Sequence, residues 1–392
     1  MNRRRRCGPD KPARSDTLRH PVGAAMRNSG DSPRPPQDPQ GSGEALRLAR
    51  RAGLRHVCCA QPGIRRRRQG RHFVYLDPDN RRIDDPELLA RIRSLAIPPA
   101  YREVWICPDP RGHLQAVGVD ARGRRQYRYH GEWRRLRDAS KFGRLLEFGA
   151  ALPRLRRQLR RDLAAPALSR QKVLALLVTL LDHTRIRIGN DEYARENGSF
   201  GLTTLRKRHL QLVSQGRARL RFRGKGGLDR ELEIDDRRLV RLLRRCQQLP
   251  GQRLFQYLDD DGQPHPIASS LVNDYLRAAM GGDFTAKDFR TWGATMRAIA
   301  LLRATPPPAA ASEAAFRRCI NETITQVASE LGNTPAVCRK AYIHPRVFEA
   351  WREGRLHRLG DARPAAALPS PRRAERLALQ FLKTQRPAPR GR

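Results

Sequence analysis

Lys225 is one of only eight lysines in a chain that carries 71 arginines, and it lies in the glycine-rich turn 223–227. Arginine stays protonated at any working pH, whereas lysine can donate a proton and take it back. A lysine at the tip of a predicted hairpin in a strongly basic chain is therefore a candidate general acid beside a phosphate. The alternative is that arginine-biased codons produced the imbalance and that Lys225 is an ordinary solvated turn residue.

The composition of the chain favours a polyanionic partner. Its 392 residues carry a formal net charge of +40, and the length alone predicts two or three domains. Nucleic acid is the leading candidate, because Lys and Arg side chains that neutralise its phosphates give affinity independent of base sequence. An acidic membrane surface is the weaker alternative. No apolar run is long enough to span a bilayer, and no secretory signal is apparent near the first residue. We expect a cytoplasmic protein associated with DNA.

The sequence lacks the common motifs for binding metal ions and for binding nucleotide phosphates. The seven cysteines form no Cys-x-x-Cys pair, and the ten histidines show no His-Glu-x-x-His spacing, so we expect no structural metal. There is no Gly-x-x-x-x-Gly-Lys loop and no acidic cluster that could hold two magnesium ions. Phosphate chemistry must then depend on fixed side-chain cations, and the arginine fork donates two hydrogen bonds to phosphoryl oxygens.

Composition divides the chain into four parts. Residues 1–50 are predicted to be a disordered basic tail, 51–145 a small β-rich domain, 146–358 a mostly helical domain, and 359–392 a basic C-terminal tail. The β-rich domain ends in a run that mixes aromatic and basic residues, with Tyr127 and Tyr129, and such a run suits a DNA backbone. The predicted fold class is therefore α+β.

The helical domain must position the candidate residues. Residues 172–181 predict a core helix, and three strand-like runs within 209–234 predict a small antiparallel sheet with Lys225 at its second turn. A helix that begins after Thr285 carries Lys287 and Arg290 on one face. The last predicted helix begins after Thr334 and carries Tyr342.

Four segments of this domain stand out by their residue types, order and spacing. They are 184–193 with Arg187, 222–226 with Lys225, 287–293 with Lys287 and Arg290, and 331–342 with Asn333 and Tyr342. Together they resemble the type IB DNA topoisomerases, specifically the bacterial and poxvirus-like branch, and the resemblance extends over about residues 60 to 350.

The resemblance implies a role for each of these residues. Tyr342 would attack a DNA phosphodiester and form a 3′-phosphotyrosyl intermediate. Arg187 and Arg290 would clamp the nonbridging oxygens, and Lys225 would protonate the leaving 5′-oxygen. Asn333 is a departure, because many relatives have histidine at this position, and an asparagine can donate a hydrogen bond but carries no charge.

The resemblance also implies contacts and an architecture. Lys287 would contact the phosphate or assist Arg290, while Tyr193, Tyr127 and Tyr129 would contact the DNA backbone. The fold would be like that of tyrosine recombinases and type IB topoisomerases, with two domains forming a clamp around double-stranded DNA. The enzyme would be a monomer of the bacterial nucleoid. It would need no ATP, because the phosphotyrosyl bond conserves the energy of the broken phosphodiester, and no metal is implied.

Two other functions fit part of the pattern. A tyrosine recombinase shares the Arg, Lys, Arg and Tyr residues, but it usually carries His-x-x-Arg where this chain has Lys287 and Arg290, and His or Trp near the position of Asn333. A noncatalytic protein that compacts DNA needs only the charge and the basic tails. It predicts that Tyr342→Phe leaves every activity intact.

Overall fold

The computed structural model describes residues 42–121, 123–305, 312–360 and 368–385. The chain divides into two compact units between His130 and Gly131. Both units combine helices with small antiparallel sheets, which confirms the predicted α+β class. Most of the predicted N-terminal tail and parts of the predicted C-terminal tail lie outside the described residues, at 1–41, 361–367 and 386–392.

The N-terminal unit is built around a five-stranded antiparallel sheet with the strand order β2-β1-β3-β4-β5. Its elements are α1 (Ser42–Arg51), β1 (Ile64–Gln69), β2 (His72–Leu76), α2 (Pro86–Ser94), β3 (Arg102–Ile106), β4 (Leu114–Val119) and β5 (Arg125–Tyr129). Apolar side chains from β1, α2, β3 and β4 form a small core of their own. The β-rich character predicted for this region is therefore present.

The C-terminal unit is mostly helical. Its helices are α3 (Gly131–Gly143), α4 (Leu145–Ala164), α5 (Arg170–Thr184), α6 (Asp191–Asn197), α7 (Arg237–Gln248), α8 (Ser269–Met280), α9 (Ala286–Ala304), α10 (Glu313–Leu331), α11 (Pro335–Ala341), α12 (Arg346–Arg352) and α13 (Pro371–Thr384). The strands β6 (Leu210–Leu212), β7 (Ala218–Arg223) and β8 (Asp229–Ile234) form one sheet, and β9 (Gln256–Leu258) pairs with β10 (Pro264–Pro266). Helix α5, which is apolar on all sides, lies in the centre of the core, as the sequence predicts.

The structure corrects the predicted domain boundaries. The boundary between the β-rich and the helical part lies after His130 rather than after residue 145, because α3 packs through Phe142 against His344 and so belongs to the C-terminal unit. Residues 42–50 are helical rather than part of a tail, and Ala49 is buried.

The larger correction concerns the predicted C-terminal tail at 359–392, because this range contains α13. The apolar face of α13 packs against α4 and α9, and its Phe381 is only 1% exposed. Arg156 of α4 fixes the helix further, since its guanidinium pairs with Asp182 at 2.8 Å and with Glu375 at 2.6 Å. Helix α13 is therefore an integral part of the C-terminal unit.

Phe381→Ala should lower the free energy of unfolding of the C-terminal unit by about 3–5 kcal/mol, because it removes a fully buried aromatic side chain. Denaturant unfolding followed by circular dichroism measures the change. Arg376→Ala, on the exposed face of the same helix, serves as the control and should have little effect. Equal small effects of both substitutions would show that α13 does not stabilise the unit.

Candidate active site

Helix α9 carries Lys287 and Arg290 into the site. The Asp288 carboxylate accepts hydrogen bonds from the backbone N–H and the hydroxyl of Thr285, at 2.8 and 3.0 Å, which fixes the first turn of the helix as its sequence predicts. Lys287 then lies exposed on the first turn, while Arg290, one turn later, is only 3% exposed. The two cations therefore have different surroundings, although they share one helix face.

The buried guanidinium of Arg290 joins two segments that lie far apart in sequence. Its Nη1 donates to the carbonyl of Arg185, just beyond α5, and its Nη2 donates to the carbonyl of Leu331 at 2.9 Å. Its Nε has no hydrogen-bond partner among the described residues. The guanidinium carbon lies 5.1 Å from the ring centroid of Tyr342, so the charge is placed directly against the candidate nucleophile.

Arg187 lies in the connection between α5 and α6 and reaches the turn that follows α10. Its Nη1 donates to the carbonyl of Gly332 at 3.3 Å, and its Nη2 donates to Oδ1 of Asn333. The Nδ2 group of the same Asn333 side chain is buried and has no partner among the described residues. Burial, followed by the charge of Arg290, lowers the pKa of Arg187.

Tyr342 follows directly after α11, which begins at the predicted Thr334 cap. Its side chain is 9% exposed. Burial raises the pKa of its phenol, but the positive charges of Arg290, Arg187 and Lys287 outweigh this effect and leave the pKa below its usual value. The site therefore favours the phenolate, which is the nucleophilic form of a tyrosine.

A single hydroxyl fixes the backbone on both sides of the candidate nucleophile. Oγ1 of Thr295, which is fully buried on α9, donates to the carbonyl of Tyr342 at 3.2 Å and accepts from the N–H of His344 at 3.1 Å. Thr295 belongs to the same helix as Arg290. The candidate nucleophile and the arginine beside it are therefore both held by α9.

Lys225 occupies the tip of the β7–β8 hairpin, at the second turn of the sheet as predicted. The turn closes through a hydrogen bond from the N–H of Gly227 to the carbonyl of Gly224, and Gly226 and Gly227 both have φ near +80°. Glycine adopts this left-handed conformation without strain. The Lys225 side chain is exposed, and its Nζ lies 5.7 Å from the ring centroid of Tyr193.

One cavity of about 250 Å³ brings most of the predicted site residues together. Its lining includes the predicted residues Arg187, Tyr193, Lys225, Lys287, Arg290 and Tyr342. Asn333 is joined to this set through its contact with Arg187. Tyr127 and Tyr129 lie on β5 of the N-terminal unit, where their rings stack with centroids 6.2 Å apart.

The carbonyl groups at the end of α10 accept hydrogen bonds from three arginines. The carbonyls of residues 329 to 332 accept from Arg230, Arg290 and Arg187. The last carbonyls of a helix have no partner within the helix and carry a partial negative charge. This helix end therefore holds three guanidinium groups, including those of the predicted site residues Arg187 and Arg290.

No group of three or more His, Cys, Asp or Glu side chains that could hold a metal ion occurs in the part of the chain that the structure describes. Among the helices of the described ranges, none combines the length and the apolar composition that crossing a membrane requires.

Lys141 and Thr295 are parts of the site that the sequence motifs did not indicate. Nζ of Lys141, on α3, donates to the carbonyl of Ala341 and lies 5.7 Å from the ring centroid of Tyr342. The scarcity of lysine that singled out Lys225 applies equally to Lys141 and could have identified it. Thr295 gave no such signal, because it is a small polar residue in the buried part of a helix.

A tyrosine surrounded by fixed cations is typical of enzymes that cleave and rejoin a phosphodiester through the phenol. The family model described as "Eukaryotic DNA topoisomerase I, catalytic core" matches residues 130–359, and "Bacterial DNA topoisomerase IB, N-terminal domain" matches residues 72–120. The chain therefore belongs to the type IB DNA topoisomerase family, a family of enzymes that act on DNA, and the resemblance inferred from its motifs is confirmed.

Viral relatives support the same assignment. The protein named DNA topoisomerase 1B from Acanthamoeba polyphaga mimivirus is 33% identical over 294 residues, which cover 74% of this chain and 87% of the relative. DNA topoisomerase I of Monkeypox virus is 23% identical over 259 residues, which cover 64% of this chain and 75% of that protein. DNA topoisomerase 1B of Vaccinia virus (strain Copenhagen) is 23% identical over 264 residues, with the same two shares.

Thr295→Val should destabilise the C-terminal unit by about 1–3 kcal/mol and slow reaction at Tyr342, because it leaves a buried carbonyl and a buried N–H without partners. Thr291→Val is the matched control on the same helix. The hydroxyl of Thr291 is buried and has no partner among the described residues, so its removal should be neutral. Thermal unfolding and the rate of covalent DNA attachment test both variants. Equal losses would contradict a specific role for Thr295.

Lys141 should make stability depend on pH. Burial, followed by the charge of Lys287, lowers the pKa of Lys141 from 10.5 to about 8. Between these values the unfolded chain binds more protons than the folded one, so the free energy of unfolding rises with pH across this window. Below pH 8 the folded protein holds a buried ammonium at a cost of up to about 3 kcal/mol.

Lys141→Met removes this titration. The stability of the wild type relative to Lys141→Met should therefore increase between pH 7.5 and pH 10, as measured by urea unfolding at each pH. Lys383→Met, at an exposed position of α13, is the control for the loss of one positive charge. If the wild type and Lys141→Met respond to pH in parallel, the ammonium of Lys141 is not held in a desolvated state.

Proposed function

We propose that Tyr342 cleaves one DNA strand by attacking a phosphodiester, and that the chain relaxes supercoiled DNA through the resulting 3′-phosphotyrosyl bond. The observation that carries this proposal is the single cavity shared by Tyr342, Arg187, Arg290 and Lys225. The phenol releases its proton to solvent, and the phenolate oxygen forms a bond to phosphorus. The bond between phosphorus and the 5′-oxygen breaks, and its electron pair stays with that oxygen.

Lys225 supplies the proton that the leaving 5′-oxygen needs. An alkoxide is a poor leaving group, so a general acid that protonates it lowers the barrier of the cleavage step. The side chain of Lys225 is exposed at the hairpin tip and lines the cavity that contains Tyr342. In religation the 5′-hydroxyl attacks the phosphorus, and the neutral amine of Lys225 accepts its proton. The bond between phosphorus and the Tyr342 oxygen breaks, and its electron pair leaves with the phenolate.

Arg187, Arg290 and Asn333 stabilise the charge that develops on the nonbridging oxygens. The N–H groups of the two guanidinia are fixed before DNA binds, because both are attached to backbone carbonyls. Such preorganised donors require little rearrangement during the reaction. The free Nδ2 of Asn333 adds a neutral donor, which supports a hydrogen-bonding role for this position. Lys287 contributes a further positive charge from the cavity wall.

The remaining features of the proposal concern the bound DNA. In this proposal the protein is a monomer with a fold like that of the tyrosine recombinases, and its two units clamp duplex DNA in the nucleoid. Tyr193, Tyr127 and Tyr129 contact the DNA backbone. The cut duplex rotates about the intact strand before religation. No ATP takes part, because the covalent bond to Tyr342 retains the energy of the cleaved phosphodiester. In place of a metal, the fixed side-chain cations stabilise the charge on the phosphoryl oxygens.

Tyr342→Phe should abolish relaxation of supercoiled plasmid while DNA binding is kept, because the variant lacks only the nucleophilic oxygen. The assay contains EDTA and no ATP, and the wild type should remain active under these conditions. Tyr257→Phe, which removes the hydroxyl of a tyrosine on β9, is the control and should relax plasmid normally. Relaxation by the Tyr342→Phe protein would refute the proposed mechanism and would favour a noncatalytic or differently catalysed function.

A further inference from the structure

Arg230 connects the hairpin that carries Lys225 to the end of α10. It lies on β8, and its Nη1 and Nη2 donate to the carbonyls of Ser329 and Glu330 at 3.3 and 3.0 Å. These carbonyls lie about 100 residues further along the chain, in the segment that leads to Asn333. The guanidinium thus joins two parts of the active site that no sequence motif relates to each other.

Both ends of the Arg230 side chain are closely surrounded. A Cβ atom added at Gly224, the residue before Lys225, would lie 3.1 Å from Cγ of Arg230. A Cβ atom added at Gly332, the residue before Asn333, would lie 2.5 Å from Nη1 of Arg230, which is closer than van der Waals contact allows. The two glycines therefore leave room for an arginine that reaches from the base of the hairpin tip to the end of the helix.

The hairpin tip has few packing contacts of its own. Lys225, Gly226 and Leu228 are all exposed, so little packing holds the tip in place. On the opposite strand, the carbonyl of Arg223 accepts a hydrogen bond from the N–H of Phe200 at 2.7 Å. Arg230 provides the corresponding attachment for β8, and it does so at the helix end that also holds Arg187 and Arg290.

We propose that Arg230 is a positioning residue that holds Lys225 at the reacting phosphate by fastening β8 to the C-terminal carbonyls of α10. The inference rests on the proposed function, because it assigns Arg230 to the proton-transfer part of that reaction. A direct contact of Arg230 with the phosphate is the alternative. Arg230 is not among the residues that line the cavity shared by Tyr342, Arg187, Arg290 and Lys225, which favours the indirect role.

The test separates proton transfer from every other contribution of Arg230. A cleavage position is first mapped on duplex DNA with the wild type. Two duplexes with that sequence are then made, one with the natural 5′-oxygen and one with sulfur at the same bridging position. A thiolate leaves without being protonated, so a defect in the general acid disappears with the sulfur substrate, whereas a defect in phosphate binding, in the nucleophile or in folding does not.

Arg230→Met should slow single-turnover attachment to the oxygen substrate by at least about tenfold, but by no more than the roughly 10²–10⁴-fold that a general acid contributes. The sulfur substrate should restore attachment to nearly the wild-type rate. Arg230→Lys should restore only part of the rate, because an ammonium cannot reproduce the planar fork that donates to two carbonyls. Arg221→Met is the control, since it removes an exposed arginine of the same hairpin, and its rate should stay close to that of the wild type.

Lys225→Ala provides the reference for the sulfur effect. If Arg230 acts through Lys225, the double variant should be little slower than Lys225→Ala alone, because both substitutions remove the same contribution. An Arg230→Met defect that persists on the sulfur substrate, the absence of any defect, or full additivity with Lys225→Ala would overturn the inference.

The same experiment distinguishes this inference from the proposed function. If sulfur does not rescue Lys225→Ala, the assignment of Lys225 as the acid fails. If the wild type forms no covalent adduct, the topoisomerase mechanism itself fails. If sulfur rescues Lys225→Ala but not Arg230→Met, only the role of Arg230 is refuted.

Discussion

The site depends on the hydrogen bonds that the C-terminal carbonyls of α10 accept from arginine side chains. Three guanidinium groups, those of Arg187, Arg230 and Arg290, converge there although like charges repel, and burial together with that repulsion lowers the pKa of Arg187 and of Arg230. The carbonyls from Ser329 to Gly332 hold them through oriented dipoles. Within the described ranges, no Asp or Glu forms a salt bridge with any of the three. A carboxylate would have neutralised the charge that a phosphate needs, whereas carbonyls fix the geometry and leave that charge available.

Much of the arrangement could be predicted because its signals are local in sequence. Glycines at the turn before β8 marked the hairpin of Lys225, and capping residues marked the starts of α9 and α11, where Thr285 and Thr334 lie. Each signal concerns a few neighbouring residues whose backbone preferences agree with the fold. The order and spacing of the four segments then sufficed to identify the family, although no one of them would have done so alone.

What the sequence did not reveal depends on contacts between distant segments. Arg230 is one of 71 arginines, and only its two carbonyl partners distinguish it from the others. Thr295 acquires its role from the backbone of a segment 47 residues away. Helix α13 was assigned to a tail because its surroundings are rich in Pro, Ala and Arg, and only its packing on α4 and α9 shows that it belongs to the core. Local composition does not record such neighbours.

The nucleophile and the general acid of the proposed mechanism are held by different elements, α9 and the hairpin, and this separation has a thermodynamic consequence. Thr295 ties Tyr342 to the helix of Arg290, whereas Lys225 stands on a separate element. In the proposed mechanism, the same lysine protonates the 5′-oxygen on cleavage and deprotonates it on resealing. A change in the hairpin therefore alters the rates of cleavage and of religation by the same factor, and it leaves the equilibrium fraction of broken strands unchanged. The rate of relaxation can therefore change during evolution without raising the number of broken strands present in the genome at any one time.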